Sequence, residues 1–147
     1  MEKILNFIVN EKNELLLLLG CPNDPQLKKS IWYVVTGAIE KNDSSKEDAV
    51  LRESLEETGL KVENLFYLNW ILKYNSLGIS CTEYVYISYV KSDKIKLNEE
   101  NIDYKWCNIN EFIDKIYWYG DKLILDNVLK CALQNSLFFK DEHIDLF

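Results

Sequence analysis

Arginine is nearly missing from this chain of 147 residues: of its 17 basic residues, only Arg52 is an arginine. Histidine is represented by His143 alone, in the tail, which argues against a histidine-based metal site and a Ser-His-Asp triad. Surplus positive charge is absent too. The formal net charge is −7, and sequence-independent binding to duplex nucleic acid needs a basic footprint. No apolar run approaches a membrane span, and residues 15–19 (LLLLL) have only the length of a buried strand. No C-x-x-C pair exists among Cys21, Cys81, Cys107 and Cys131, so these read as reduced structural thiols. The opening MEKILNFIVNEK lacks the basic, apolar and small-residue order of a signal peptide. The expectation is a cytoplasmic protein with no membrane partner.

What is present is an ordinary globular composition, 48% apolar and 28% charged. The length suits one domain, residues 1–147, with a proper core. Residues 3–9 and 14–19 read as a hairpin or neighbouring strands around NEKNE. Residues 20–30 hold both prolines and read as a loop. The aromatic and β-branched run IWYVVT, residues 31–36, predicts a strand that enters Gly37. A turn or short strand follows, and then Ser44 or Ser45 caps a helix over residues 46–58, Ser44 and Glu47 having the capping-box spacing. Leu51 and Leu55, four apart, mark its expected core face, with the glutamates pointing elsewhere. Residues 62–74 and 79–90 predict long strands, the second half exposed through Tyr84, Tyr86 and Ser88. A loop over 91–103, a strand over 104–109, and helices over 110–116 and 121–137 complete the chain. The tail SLFFKDEHIDLF is apolar enough to fold back on the body or to meet a partner subunit, so monomer and homodimer both remain open. Strands, helix, strands, helix is the order of an α/β fold with a mixed sheet between helices.

The stretch RESLEETG, residues 52–59, is electrostatically odd. Glu53, Glu56 and Glu57 crowd the C-terminal turns of a helix, where the macrodipole disfavours anions, and their spacings of three and four make them mutually repelling neighbours. A divalent cation would offset that repulsion, since Mg²⁺ takes hard carboxylate oxygens together with substrate phosphates. A solvated acidic face is the plainer reading of E-x-x-E-E by itself. Arg52 immediately precedes the cluster, and its planar fork can clamp carboxylates as lysine cannot.

The longer segment GAIEKNDSSKEDAVLRESLEETGL, residues 37–60, resembles the Nudix box: a glycine, a glutamate, then R-E-apolar-x-E-E-x-G-apolar. Gly37, Arg52, Glu53, Glu56, Glu57, Gly59 and Leu60 match by position, and Ala49 is the small residue common inside the helix. The segment is one residue longer than the pattern between Gly37 and Arg52. The early glutamate therefore falls on Ser44 or Asp43, with Asp43 or Glu40 as substitutes, and Ser54 stands where an apolar residue is usual.

The resemblance implies the Nudix fold and hydrolysis of a nucleoside diphosphate linked to another group, with Mg²⁺ or Mn²⁺. Glu53, Glu56 and Glu57 would be metal ligands, joined by the Gly37 carbonyl, and Arg52 would orient a glutamate. The general base would be Glu53 or a glutamate of the NEEN loop, Glu100 ahead of Glu99. IWYVVTGAIE, TEYVY and NEENIDYKWCNINEF are similar to segments of the dihydroneopterin triphosphate and dATP pyrophosphatase branch. The diadenosine polyphosphate branch usually has proline where this chain has Thr36. A small-molecule nucleotide is the expected partner, with Lys28 and Lys29 toward its phosphates. Trp32, Tyr33, Trp70, Tyr74 and Trp118 are candidates to stack on its base. Alternatives are a dinucleoside polyphosphate, ADP-ribose or capped-RNA hydrolase, and a Nudix-fold binding module without catalysis.

Overall fold

A computed structural model describes residues 1–21 and 30–134. Strand β1 (Glu2–Val9) is the hub of a mixed sheet of seven strands. It pairs antiparallel with β2 (Leu15–Gly20) and β4 (Val35–Ala38), and parallel with β6 (Ile79–Tyr89). The outer strands are β5 (Asn64–Ser76), antiparallel to β6, with β3 (Trp32–Tyr33) and β7 (Asn101–Cys107), both antiparallel to β2. The helices are α1 (Lys46–Thr58), α2 (Ile109–Lys115) and α3 (Lys122–Gln134).

Both faces of β1 are covered, which explains its nearly unbroken apolar sequence. On one face Leu5, Phe7, Val9, Val85 and Ile87 pack with Phe112, Leu125 and Leu129 from α2 and α3. On the other, Ile4 and Tyr86 pack with Ala49 and Val50 of α1. The sheet thus lies between helices, as the element order predicts. No helix among the described residues is long and apolar enough to cross a membrane.

The expected core face of α1 is wrong. Leu51 and Leu55 are 42% and 57% exposed, whereas Ala49, Val50, Glu53, Ser54, Glu57 and Thr58 are buried. Small side chains at 49, 54 and 58 let the helix sit close to the sheet, and the polar groups it buries are bonded rather than excluded. Asn6 Nδ2 of β1 donates to Ser54 Oγ at 2.9 Å and to Ser88 Oγ at 2.8 Å. That network is why a serine replaces the usual apolar residue.

The same helix overturns the half-exposed reading of β6. Tyr86 and Ser88 are 2% and 0% exposed because α1 covers their face; only Tyr84 reaches its rim, where Lys46 Nζ stands 4.7 Å from its ring.

The strand predicted over 31–36 splits in two, β3 joining β2 and β4 joining β1. β7 begins at Asn101, inside the predicted loop, because Asn101 pairs with Gly20. Ser45, not Ser44, caps α1, accepting from the Asp48 N–H at 3.1 Å. The apolar tail and most of the proline loop lie outside the described residues.

Candidate active site

Local chemistry brings the box together. Gly59 ends α1 with φ 71°, a left-handed conformation suited to glycine, and its N–H bonds the Leu55 carbonyl at 2.9 Å. No basic residue offsets the acids in the last turn. At the other end, residues 38–45 fold back so that Asp43 faces Arg52.

Arg52 uses all five of its N–H donors. Nε and Nη2 hold the two oxygens of Asp43, each at 2.9 Å. Nη2 also donates to the Ala38 carbonyl at 3.1 Å, while Nη1 donates to Glu53 Oε1 at 2.9 Å and Glu56 Oε2 at 3.4 Å. Glu40 lies 3.8 Å from Nη1, an ion pair only. Asp43 therefore fills the place left open by the longer box, and its side chain is only 5% exposed. The Arg52 bonds hold the Asp43 carboxyl below the usual carboxylate range.

The glutamates divide by environment. Glu56 is exposed. Glu53 is nearly buried, and desolvation raises its pKa despite the opposing pull of Arg52. Glu57 is 7% exposed, and burial together with the charges of Glu100 and Glu53 pushes it up to about 9. Its Oε1 accepts from Asn101 Nδ2 at 3.3 Å; its Oε2 is buried without a hydrogen-bond partner.

An unpartnered buried carboxylate oxygen beside two further carboxylates is a donor set suited to a hard divalent cation. Among the described residues, no three acidic, cysteine or histidine side chains are drawn together tightly enough to cage one unaided. The cation would thus need substrate oxygens or water to complete its shell, as Mg²⁺ commonly does.

Glu100 sits immediately before β7. Its carbonyl accepts from Cys21 N at 2.9 Å and its N–H bonds Asn98 Oδ1 at 3.1 Å, fixing the loop at the sheet edge. Glu57 and Glu100 line a cleft of about 740 Å³ with Tyr33, Thr36, Trp70 and Trp118, within the size range of small-molecule sites. Tyr74 also lines it, whereas Trp32 and Glu99 do not. Trp32 is instead packed against the main core. Lys28 and Lys29 lie outside the described residues.

Gly37 presses on this centre. A Cβ there would overlap the Glu53 carboxyl group, and Arg52 prevents that carboxylate from simply swinging away. Gly37→Ala is expected to retain the fold at a cost of about 1–3 kcal/mol from overpacking, while lowering kcat about tenfold or more by displacing Glu53. Melting curves and steady-state kinetics on the same preparation check both halves.

Sequence reasoning missed Asn101 and Glu83. Asn101 carries no local signal, since it meets Glu57 only through the β2–β7 pairing. Glu83 does carry one: an acidic residue inside the β-prone run ISCTEYVYIS.

A family model of the NUDIX domain matches residues 2–127. Among solved structures, the NUDIX domain of Shewanella oneidensis NrtR complexed with ADP ribose superposes with TM-score 0.72 at 18% identity, covering 90% of this chain and 88% of that one. A C. elegans Ap4A hydrolase gives 0.70 at 18%, covering 93% and 96%. The E. coli dihydroneopterin triphosphate pyrophosphohydrolase gives 0.67 at 18%, covering 91% and 95%. At such identities the likeness is one of fold.

Proposed function

The chain belongs to the Nudix family of pyrophosphohydrolases, and from that premise we propose that it cleaves a nucleoside triphosphate into monophosphate and pyrophosphate. The observation that carries the reading is Glu57: a buried carboxyl group with a bare oxygen, on the wall of a cleft that also carries the aromatic rings of Tyr33, Trp70, Tyr74 and Trp118. An anionic pyrophosphate has no other reason to approach an anionic helix. Mg²⁺ or Mn²⁺ held by Glu53, Glu56 and Glu57, with the Gly37 carbonyl, would cancel charge between them and polarise the phosphoryl group.

The side chains do the rest. Arg52 keeps Glu53 at a fixed angle. Glu100 faces the same cleft as Glu57 without a salt bridge to Arg52, so it is the better candidate to take the proton of an attacking water; Glu53 already gives one oxygen to Arg52. Aromatic rings on the cleft wall suit a flat base, and Lys28 and Lys29 are assigned to the outer phosphates. The setting is a cytoplasmic small-molecule one.

The three similar structures are of proteins that take different compounds (ADP ribose, Ap4A and dihydroneopterin triphosphate), so fold does not choose among them. Thr36 on the cleft wall, where the diadenosine branch usually carries proline, favours the triphosphate. A panel of nucleoside triphosphates, ADP-ribose, diadenosine polyphosphate and capped RNA, run with Mg²⁺ and with Mn²⁺, tests it. Pyrophosphate and a monophosphate from a triphosphate are the expected products. Turnover confined to compounds that yield two nucleotide fragments overturns it in favour of the alternative hydrolase.

A further inference from the structure

Hydrolysis leaves one buried carboxylate unused. Glu83 of β6 lies outside the box, yet its side chain is 3% exposed and lines the same cleft as Glu57 and Glu100. Register places it beside Lys3 of β1, which is itself opposite Ala38. Two strand spacings, roughly 10 Å, therefore separate its backbone from the Gly37–Ala38 end of the site. Glu83 Oε2 accepts from the Tyr74 hydroxyl at 3.0 Å, and Lys3 Nζ stands 3.9 Å from the same oxygen. It thus has its own counter-charge and does not need a metal.

Around it is a wall for a ring. Trp70 and Leu72 of β5 line the cleft, and Leu72 is in register with Glu83. Trp118 leans on Trp70 at 5.8 Å and on Tyr33 at 6.2 Å between centroids. Burying a carboxylate on an aromatic wall is costly unless something donates to it, and a carboxylate offers about four acceptor positions, of which Tyr74 and Lys3 occupy one oxygen.

Resting on the reading of this cleft as the substrate site, we propose that Glu83 selects the ring by accepting hydrogen bonds from a guanine-type edge, an imino N–H beside an exocyclic amino group. Ring chemistry narrows the choice. Adenine and cytosine set a ring acceptor beside their amino group, and that lone pair faces the carboxylate unfavourably. Uracil has an imino N–H flanked by two carbonyls. Guanine presents two adjacent donors, and a pterin ring shares the same edge.

The test is equilibrium binding of GMP, IMP, AMP and neopterin without metal, followed by calorimetry and by quenching of tryptophan fluorescence. The wild type is expected to bind GMP or neopterin about tenfold or more tighter than AMP, with IMP, which lacks the amino group, weaker than GMP. Glu83→Gln is near-isosteric and should lower the affinity for the favoured ring by about 10- to 100-fold while sparing AMP. Tyr74→Phe leaves the carboxylate in place but unfastened, and should narrow the preference a few-fold. Preference for GMP or for neopterin identifies which source supplies the edge. Equal binding of GMP and AMP, no binding of either ring, or a preference that survives both substitutions overturns the proposal. A ring preference without any triphosphate turnover would sink the hydrolytic reading and leave this one standing; turnover without ring preference does the reverse.

Discussion

Glu53→Gln is expected to cut cation-dependent turnover by about 10²- to 10⁴-fold, because a cation that stabilises phosphoryl charge contributes several kcal/mol and loses a ligand here. The amide keeps shape and can still accept from Arg52, so the helix and its packing against Gly37 should survive, and the melting temperature should hardly move. What it loses is negative charge and one hard oxygen donor, the properties that the acidic end of α1 exists to supply. Glu100→Gln, assayed beside it, separates the roles. If Glu100 takes the proton, its replacement lowers kcat while the dependence on Mg²⁺ concentration stays put; Glu53→Gln shifts that dependence. A wild type that turns over no compound of the panel with either metal would favour a binding module instead.

The second large effect is expected from Arg52→Lys, a substitution conservative in charge alone. Lysine has a single ammonium where Arg52 uses a flat fork to reach Asp43 twice, Ala38, Glu53 and Glu56. The Asp43 side chain is only 5% exposed, and a lone ammonium would not reach both of its oxygens. Losing the paired charged hydrogen bonds should lower the Tm measurably. Activity should fall as well, because Glu53 loses the group that sets its angle. Acid sensitivity gives an independent readout. The Asp43 pKa is lowered in the folded protein, so its contribution is fully present above the ordinary carboxylate value of 3.8 and is lost as pH falls through the lowered one. In the lysine variant that added stability should shrink, and acid unfolding should begin at higher pH. Equal melting temperatures and superimposable acid transitions would show that the fork does no more than a lysine can.

Both predictions start from residues already conspicuous in the sequence. A lone arginine beside three misplaced glutamates is a local anomaly, and anomalies of charge survive translation into any fold. The unmatched early position of the box was legible as a question, with Asp43 among its answers. Other parts were not legible. Leu51 and Leu55 have the right spacing for a core stripe, yet the helix turns them outward, because its seat on the sheet is chosen by the small residues 49, 54 and 58 and by the Asn6–Ser54–Ser88 bonds. Tyr84, Tyr86 and Ser88 alternate like an exposed face, yet two of them lie beneath α1. Periodicity tells which residues share a face; it does not tell which face finds a cover.

Taken alone, the amino-acid order determined the box, its acid cluster and single arginine, and the strand and helix types. These are properties of neighbours along the chain, decided by spacing, charge and backbone preference. Tertiary structure alone decided that Glu57 is buried with a bare oxygen, that Asn101 reaches it, and that Glu83 shares a cleft with residues far from it in sequence. Each of those depends on strands paired across long separations, and only their register and the solvent they exclude set how a carboxylate behaves.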